Sequence, residues 1–362
     1  VEYVKKGVIE SSDVLLKPDS YRSSSRKKAS ILTVLAAVLI AVICISVTVG
    51  RYSVPLSEMM HILWGKLFGA TPAWSLSVET VLLHVRIPRI IKALLVGGAL
   101  AVSGAAYQGL FKNPMVSPDI LGVSSGAGFG ASLAILFSFG TIGIQLAAFG
   151  FGLGAVILTF FISAIIGRGK SSILVLVLTG MVISTLFASF TSMTKYLADT
   201  ENKLPDITYW LMGSLARSTS LKDIIILLVP VLVGSIPLFL IRWKLNVLSF
   251  GEEEAQALGI NTTSLRLLVI GCATLLTASA ISVSGMVGWI GLIIPHAARL
   301  IAGPNYKMLL PTSILIGSAF LLLVDDIARS AFAVEIPLSI LTSLIGAPFF
   351  LYLLLQGRKA WI

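Results

Sequence analysis

Residues 120–167 read ILGVSSGAGFGASLAILFSFGTIGIQLAAFGFGLGAVILTFFISAIIG, without one Asp, Glu, Lys or Arg. A helix that crosses a bilayer needs about 20 mostly apolar residues. This run therefore holds two crossings with a tight turn near 139–143. Working outward, the same count predicts ten spans, near 31–49, 90–111, 119–138, 143–166, 172–194, 224–241, 267–286, 288–301, 308–324 and 336–356. The eighth is short and contains Pro295. With 56% hydrophobic and 12% charged residues among 362, no soluble fold accounts for the chain. The expected fold class is an all-α polytopic membrane protein with about ten transmembrane helices per subunit. The run at 31–49 is too long for a signal peptide and no small-residue cleavage site follows it, so it reads as a retained helix. Cys44 and Cys272 both fall inside spans, which suggests neither a disulfide framework nor a metal site.

Ten crossings return the chain to the side on which it began, and Lys/Arg bias sets that side. Most of the 27 basic residues fall there, including Lys5, Lys6, Arg26, Lys27, Lys28, Lys112, Arg242, Lys244, Arg299 and Arg358. Both termini are thus expected in the cytoplasm, with a loosely ordered basic arm at 1–30 and a short tail at 358–362. The formal net charge of +10 reads as topology and attraction to anionic lipid; a nucleic-acid partner is not expected. On the outer side, Arg86 and Arg89 bracket Pro88, Lys92 follows one turn later, and Arg329 follows Asp325-Asp326. Spacing alone favours local pairing and interfacial snorkelling over a basic rim that receives an acidic partner.

One polar island interrupts the second half: Gly251-Glu-Glu-Glu-Ala-Gln-Ala-Leu-Gly-Ile-Asn261. Glu252, Glu253 and Glu254 fill a first helical turn, where the helix dipole favours anions. Gly259 stands where a left-handed C-terminal cap belongs, and Ala255 and Leu258 are expected on one face. A small wet helix between dry spans reads as a contact for something in the cytoplasm.

Apparent catalytic motifs lose to simpler readings. Residues 164–171 fit a relaxed P-loop and 321–326 a strand ending in Asp, but a P-loop follows a short strand. Here a membrane span precedes it, and topology puts Lys170 and Asp325 a bilayer apart. Gly122-Val-Ser124-Ser125-Gly126 has the Gly-x-Ser-x-Gly form of a nucleophile elbow. Among three histidines only His296 could approach as base. Gly122, Gly126 and Gly130, like Gly150 and Gly154, read better as small-residue stripes for close helix packing. Ion-coupled transporters place charges within spans at a cost of about 2.5–3.5 kcal/mol each. Here charges cluster at span ends, with Lys92 and Arg299 near enough to snorkel. The energy source is therefore expected outside the chain.

Several ordered motifs resemble the FecCD-type permeases, the membrane subunits of type II ABC importers. They are Arg86-Ile-Pro-Arg89, Gly97–Gly104, Gln108–Pro114, Pro118–Val123, Glu254–Gly259, Gly285–Arg299, Glu335-Ile-Pro337 and Gly346-Ala-Pro348. The resemblance covers roughly 31–357. It implies type II ABC importer permease architecture, ten spans per subunit, alternating access, and a homodimer or a pseudo-dimer with a related permease. Its cargo would be a metal chelate, with ferric siderophore first and haem or cobalamin as alternatives. Carried over by motif, Glu252, Glu253, Glu254, Ala255, Ala257, Leu258 and Gly259 would form the segment that couples to the cytoplasmic ATPase. Arg86, Arg89 and Arg329 would dock the extracytoplasmic binding protein, and Asn113, Pro114, Met115, Ser171 and Ser172 would form the cytoplasmic gate. No metal or cofactor is expected on this chain; ATP and Mg would sit on the partner ATPase. An ion-coupled secondary transporter, an intramembrane hydrolase and a sensor or scaffold subunit are the rival classes.

Overall fold

The computed structural model describes residues 18–50, 52, 55–68, 74–167, 173–217 and 221–357. In chain order the helices are α1 Pro18–Thr48, α2 Leu56–Phe68, α3 Leu76–Thr80, α4 Ile87–Leu110, α5 Val123–Leu136, α6 Thr141–Ile166, α7 Ile173–Leu197, α8 Lys203–Met212, α9 Leu221–Leu240, α10 Arg242–Phe250, α11 Glu252–Ala257, α12 Thr262–Ser284, α13 Ile290–Ala302, α14 Tyr306–Ser330 and α15 Leu338–Gly357. A π-helical turn, Val81–Arg86, joins α3 to α4, and a 3₁₀ turn, Pro118–Leu121, precedes α5.

Among the described residues, seven helices are long and apolar enough to cross a membrane, and shorter apolar helices at Val123–Leu136, Ile290–Ala302 and Leu338–Tyr352 occupy the third, eighth and tenth expected spans. Three boundaries differ from expectation. The first helix starts at Pro18, so residues 18–30 are helical where a loose arm was expected; residues 1–17 and 358–362 lie outside the described residues. The second span starts at Leu76, since α3, the π turn and α4 form one rod of 35 residues. Pro88 lies inside that rod, where its ring presses on the preceding turn, and the helix widens there into a π turn instead of breaking. The third span becomes α-helical only at Val123. Pro118 opens a 3₁₀ turn, and Gly122 ends it in the left-handed region, at φ 91°.

The helix α4 is the axis of the bundle. It is buried without interruption from Val96 to Leu110 and packs against α9, α12, α13 and α14. Lipid tails are as apolar as leucine, so helices in a bilayer gain by close backbone approach at small residues. A Cβ on Gly104 would lie 1.8 Å from the Gly291 carbonyl oxygen of α13. One on Gly97 would lie 2.3 Å from the Gly317 oxygen of α14, and one on Gly317 would lie 2.5 Å from the Gly97 oxygen. The α5 stripe behaves as expected: Gly126 and Gly130 abut the backbone of α6 at Phe151 and Ala147. The α6 stripe does not. Gly150 and Gly154 face open space and border an apolar groove with Leu146, Ile157 and Phe161.

This contrast predicts opposite outcomes for like substitutions. Gly104→Ala forces α4 from α13 and should lower stability by about 1–3 kcal/mol, as overpacking does. Gly154→Ala should leave the melting temperature of detergent-purified protein unchanged, and thermal denaturation of both variants checks this.

Candidate coupling surface and the charge cluster at the opposite end

The acidic island forms α11, and its neighbours explain its fixed pose. The preceding α10 buries Leu245 and Leu248. Asn246 ties it to the start of α14: its Nδ2 donates to Asn305 Oδ1 at 3.2 Å, and its Oδ1 accepts from the Tyr306 amide at 2.9 Å. The end of α11 is a Schellman cap. The Gly259 amide donates to Gln256 O at 2.9 Å and the Ile260 amide to Ala255 O at 3.0 Å. Gly259 takes φ +77°, the left-handed value this cap requires. Ala255 and Ile260 then join the main core, as the cap's apolar contact does in general. Asn261 begins α12 at once, its side chain accepting from the Ser264 amide at 3.0 Å.

What remains outside is a mixed acidic and apolar surface. Glu252 pairs with Arg266 of α12, while Glu253, Glu254, Ala257, Leu258 and Gly259 are exposed. Leu258 is 70% exposed and Phe250, just before the island, 80%. Ala255 and Leu258 therefore do not share a face. The helix is only six residues long, and Leu258 already belongs to its cap, pointing outward while Ala255 points in.

Near the same end, α4 finishes at a tight turn. Lys112 is left-handed at φ 49°, the Asn113 amide donates to Gln108 O at 3.1 Å, and Asn113 Oδ1 accepts from the Met115 amide at 2.9 Å. Asn113 and Met115 are exposed and Pro114 is half-buried. Ser171 and Ser172 lie outside the described residues. Arg299 does not snorkel freely: its Nη1 donates to Gln108 Oε1 at 2.5 Å, and Gln108 Nε2 donates to Leu292 O at 3.0 Å. Ser124, of the nucleophile-elbow pattern, donates to the Asp119 carboxylate.

At the opposite end the arginines pair locally, as spacing alone favoured, and are not turned to solvent. Arg86, Arg89 and Arg329 are 3%, 6% and 9% exposed, so they form no open rim. Arg89 grips Asp325 of α14 with two bonds, Nε to Oδ2 at 2.8 Å and Nη2 to Oδ1 at 2.7 Å. It also reaches Glu335 at 3.1 and 2.9 Å, and Glu335 accepts from Ser214 Oγ at 2.8 Å. Arg329 donates to Asp326 at 2.5 Å and to the Ser46 carbonyl of α1 at 2.6 Å, while Ser46 Oγ donates to Asp326 at 2.7 Å. Arg86 donates to the carbonyls of Val47 at 2.5 Å and Thr48 at 3.3 Å, and to that of Tyr52. The guanidinium forks suit this work, because each can hold several oxygens at once. Lys92 is likewise buried, at 1% exposure, and its Nζ donates to Leu215 O at 2.7 Å. Its charge is held inside the protein and does not snorkel. Pairing of Arg89 with Asp325 joins positions 236 residues apart, a partner that single-sequence spacing could not name.

Ten apolar helices among the described residues, an exposed acidic helix at one end and internally bonded charges at the other define a multi-pass membrane protein. The chain belongs to the FecCD transport family, whose profile matches residues 38–356. It is 43% identical over 339 residues to the molybdate import permease MolB of Haemophilus influenzae, covering 92% of this chain and 96% of that protein. A probable iron chelatin permease of Helicobacter pylori is 43% identical over 282 residues, covering 78% of this chain and 84% of that one. Among solved structures, an inward-facing conformation of a metal-chelate type ABC transporter superposes with a TM-score of 0.81 at 42% identity, covering 91% of this chain and 99% of that chain. The chain is thus a permease of the ABC importer class, a transport subunit and not an enzyme.

Breaking a buried ion pair strands its partner and costs about 3–5 kcal/mol. Asp325→Ala should therefore destabilise the protein far more than Glu335→Ala, because Glu335 is 26% exposed at its side chain and Asp325 1%. The double variant Arg89→Met/Asp325→Leu should recover much of the loss. Thermal denaturation in detergent checks the order.

Proposed function

We propose that this chain carries a metal-bearing solute inward across the cytoplasmic membrane, with a ferric chelate as first cargo. In this reading two copies face each other across a central path. ATP binding on separate cytoplasmic subunits drives the change of access, and an extracytoplasmic binding protein delivers the cargo. The observation that carries the energy claim is α11: a rigidly capped helix with acidic and apolar groups turned outward and its back fixed to the core. The exposed face of α7 supports the path. Residues 173–194 carry no charge. Its exposed hydroxyls at Thr185, Ser189 and Ser192 bond the helix carbonyl four residues back at 3.0 Å each. Such a face is wettable, yet its donors are already occupied, so a bulky chelate can pass without being held.

Docking of the binding protein cannot rest on free charges of Arg86, Arg89 and Arg329, since all three are bonded within the chain; their proposed role is to fix the surface on which it lands. Both termini and α11 are proposed to be cytoplasmic, by the Lys/Arg bias. A second cargo reading, a metal oxyanion such as molybdate, is favoured by the near full-length similarity to the Haemophilus influenzae molybdate permease.

Proteoliposomes holding the chain, its ATPase and its binding protein should take up one cargo in an ATP-dependent way from a panel of ferric siderophore, haem, cobalamin and molybdate. Leu258→Asp should abolish that uptake while the subunits still co-purify. Uptake driven by an ion gradient without the ATPase would overturn the reading.

A further inference from the structure

The helix α2 is absent from the ten-span plan and is not used by the transport reading. One side packs inward: Met59 and Ile62 are buried with Val78 and Leu82 of the α3–α4 rod. Lys66 pairs with Glu79 at 2.5 Å, and the Trp74 indole donates to the same carboxylate at 2.7 Å. The other side leaves Met60, Trp64 and Phe68 exposed at 58%, 64% and 61%. These positions are spaced i, i+4, i+8, so they form one stripe. The Trp64 and Phe68 rings stack with centroids 4.3 Å apart.

The depth of α2 decides what covers this stripe. The α1 span ends at Thr48, and Arg86 binds the carbonyls of Val47, Thr48 and Tyr52. Arg86 therefore marks the level at which α1 leaves the apolar layer, and it ties the chain there four residues before α2 begins. The partners of α2 on the rod, Val78 and Leu82, lie four to eight residues beyond Arg86. At about 1.5 Å per residue that places α2 roughly 6–12 Å past the span end. The headgroup layer reaches about 5–8 Å beyond the hydrocarbon, so the Leu82 level lies inside it and the Val78 level just past its outer edge, and Trp is among the residues enriched there. Apolar residues are also exposed on α1 (Val38, Ile45), at Tyr52 between α1 and α2, and at Leu76 where the rod begins.

We propose that α2 is an in-plane membrane anchor, with Met60, Trp64 and Phe68 resting in the headgroup layer at the end of the bundle opposite α11. Amphipathic helices hold such a position by burying an apolar face shallowly at the boundary. The anchor would keep the outer end of the α3–α4 rod from tilting away from α1 while the other end moves.

The test uses the full chain in nanodiscs, with Cys272 replaced by Ser. In a Cys44→Ser background, Val38→Cys, an exposed position of α1 about 15 Å inside Thr48, carries an environment-sensitive fluorophore as the deep reference. In that background, the same label is placed by Met60→Cys, Trp64→Cys or Phe68→Cys, with Lys66→Cys for the paired side. Lipids bearing a nitroxide near the headgroup should quench positions 60, 64 and 68 at least about twofold, and more than lipids bearing it at the acyl end. Position 66 should change little, and Val38→Cys should show the reverse depth order. No lipid quenching at 60, 64 and 68 overturns the proposal. Emission that responds only when the binding protein is added does so too, and assigns the stripe to a protein partner.

Discussion

The contact between α4 and α14 is the constraint on which the remaining packing rests. Gly97 and Gly317 bring the two backbones together so closely that neither position admits a side chain. In lipid, where apolar burial alone does not favour one neighbour over another, such contacts decide which helices meet. The Arg89–Asp325 pair then fixes the register at one end of the same interface. Small residues permit close approach at several offsets, whereas a bidentate ion pair permits one. Gly104 against Gly291 and Gln108 between Leu292 and Arg299 extend the same logic from α4 to α13.

The two ends of the bundle use charge in opposite ways. At one end Arg86, Arg89, Arg329 and Lys92 are turned inward and bonded, so α1, α4, α14 and the segments at Ser214 and Glu335 behave as one body. At the other, α11 and its cap turn Glu253, Glu254 and Leu258 outward, while Glu252, Ala255, Gln256 and Ile260 bond or pack within the protein. Glu252 holds Arg266, which belongs to α12, and α12 packs along α4. A force applied to α11 therefore meets a continuous path of contacts to the central helix. That arrangement suits a subunit whose energy arrives from outside.

Much of the fold was legible because lipid imposes a simple length rule, and every one of the ten expected spans coincides with an apolar helix. Gly259 was legible as a cap because a left-handed residue after a short helix has few substitutes for glycine. Other features were hidden for physical reasons. The apolar residues of α2, α8 and α10 are too few for a span, and α8 and α10 form against neighbours distant in sequence, α5 for the first and α4 and α14 for the second. Gly150 and Gly154 repeat the spacing of Gly126 and Gly130, yet periodicity does not tell which side of a helix meets a partner. For the arginines, spacing alone favoured local pairing, and the resemblance implied an outer docking rim; Arg89 and Arg329 find carboxylates on α14 and before α15, and Arg86 finds backbone carbonyls at the end of α1. The Asp325-Asp326 pair ahead of Arg329 was the available signal, since acids at that end needed cations.

The proposal that an external motor grips the chain at α11 can be tested on the assembled complex. Its most direct test is a photo-crosslinking residue placed at Leu258, which is exposed, and at Leu197, which is exposed at the opposite end of the bundle. With the ATPase and the binding protein present, position 258 should crosslink to the ATPase subunit and position 197 should not. Absence of an ATPase crosslink at 258, in a complex that still co-purifies and hydrolyses ATP, would contradict it.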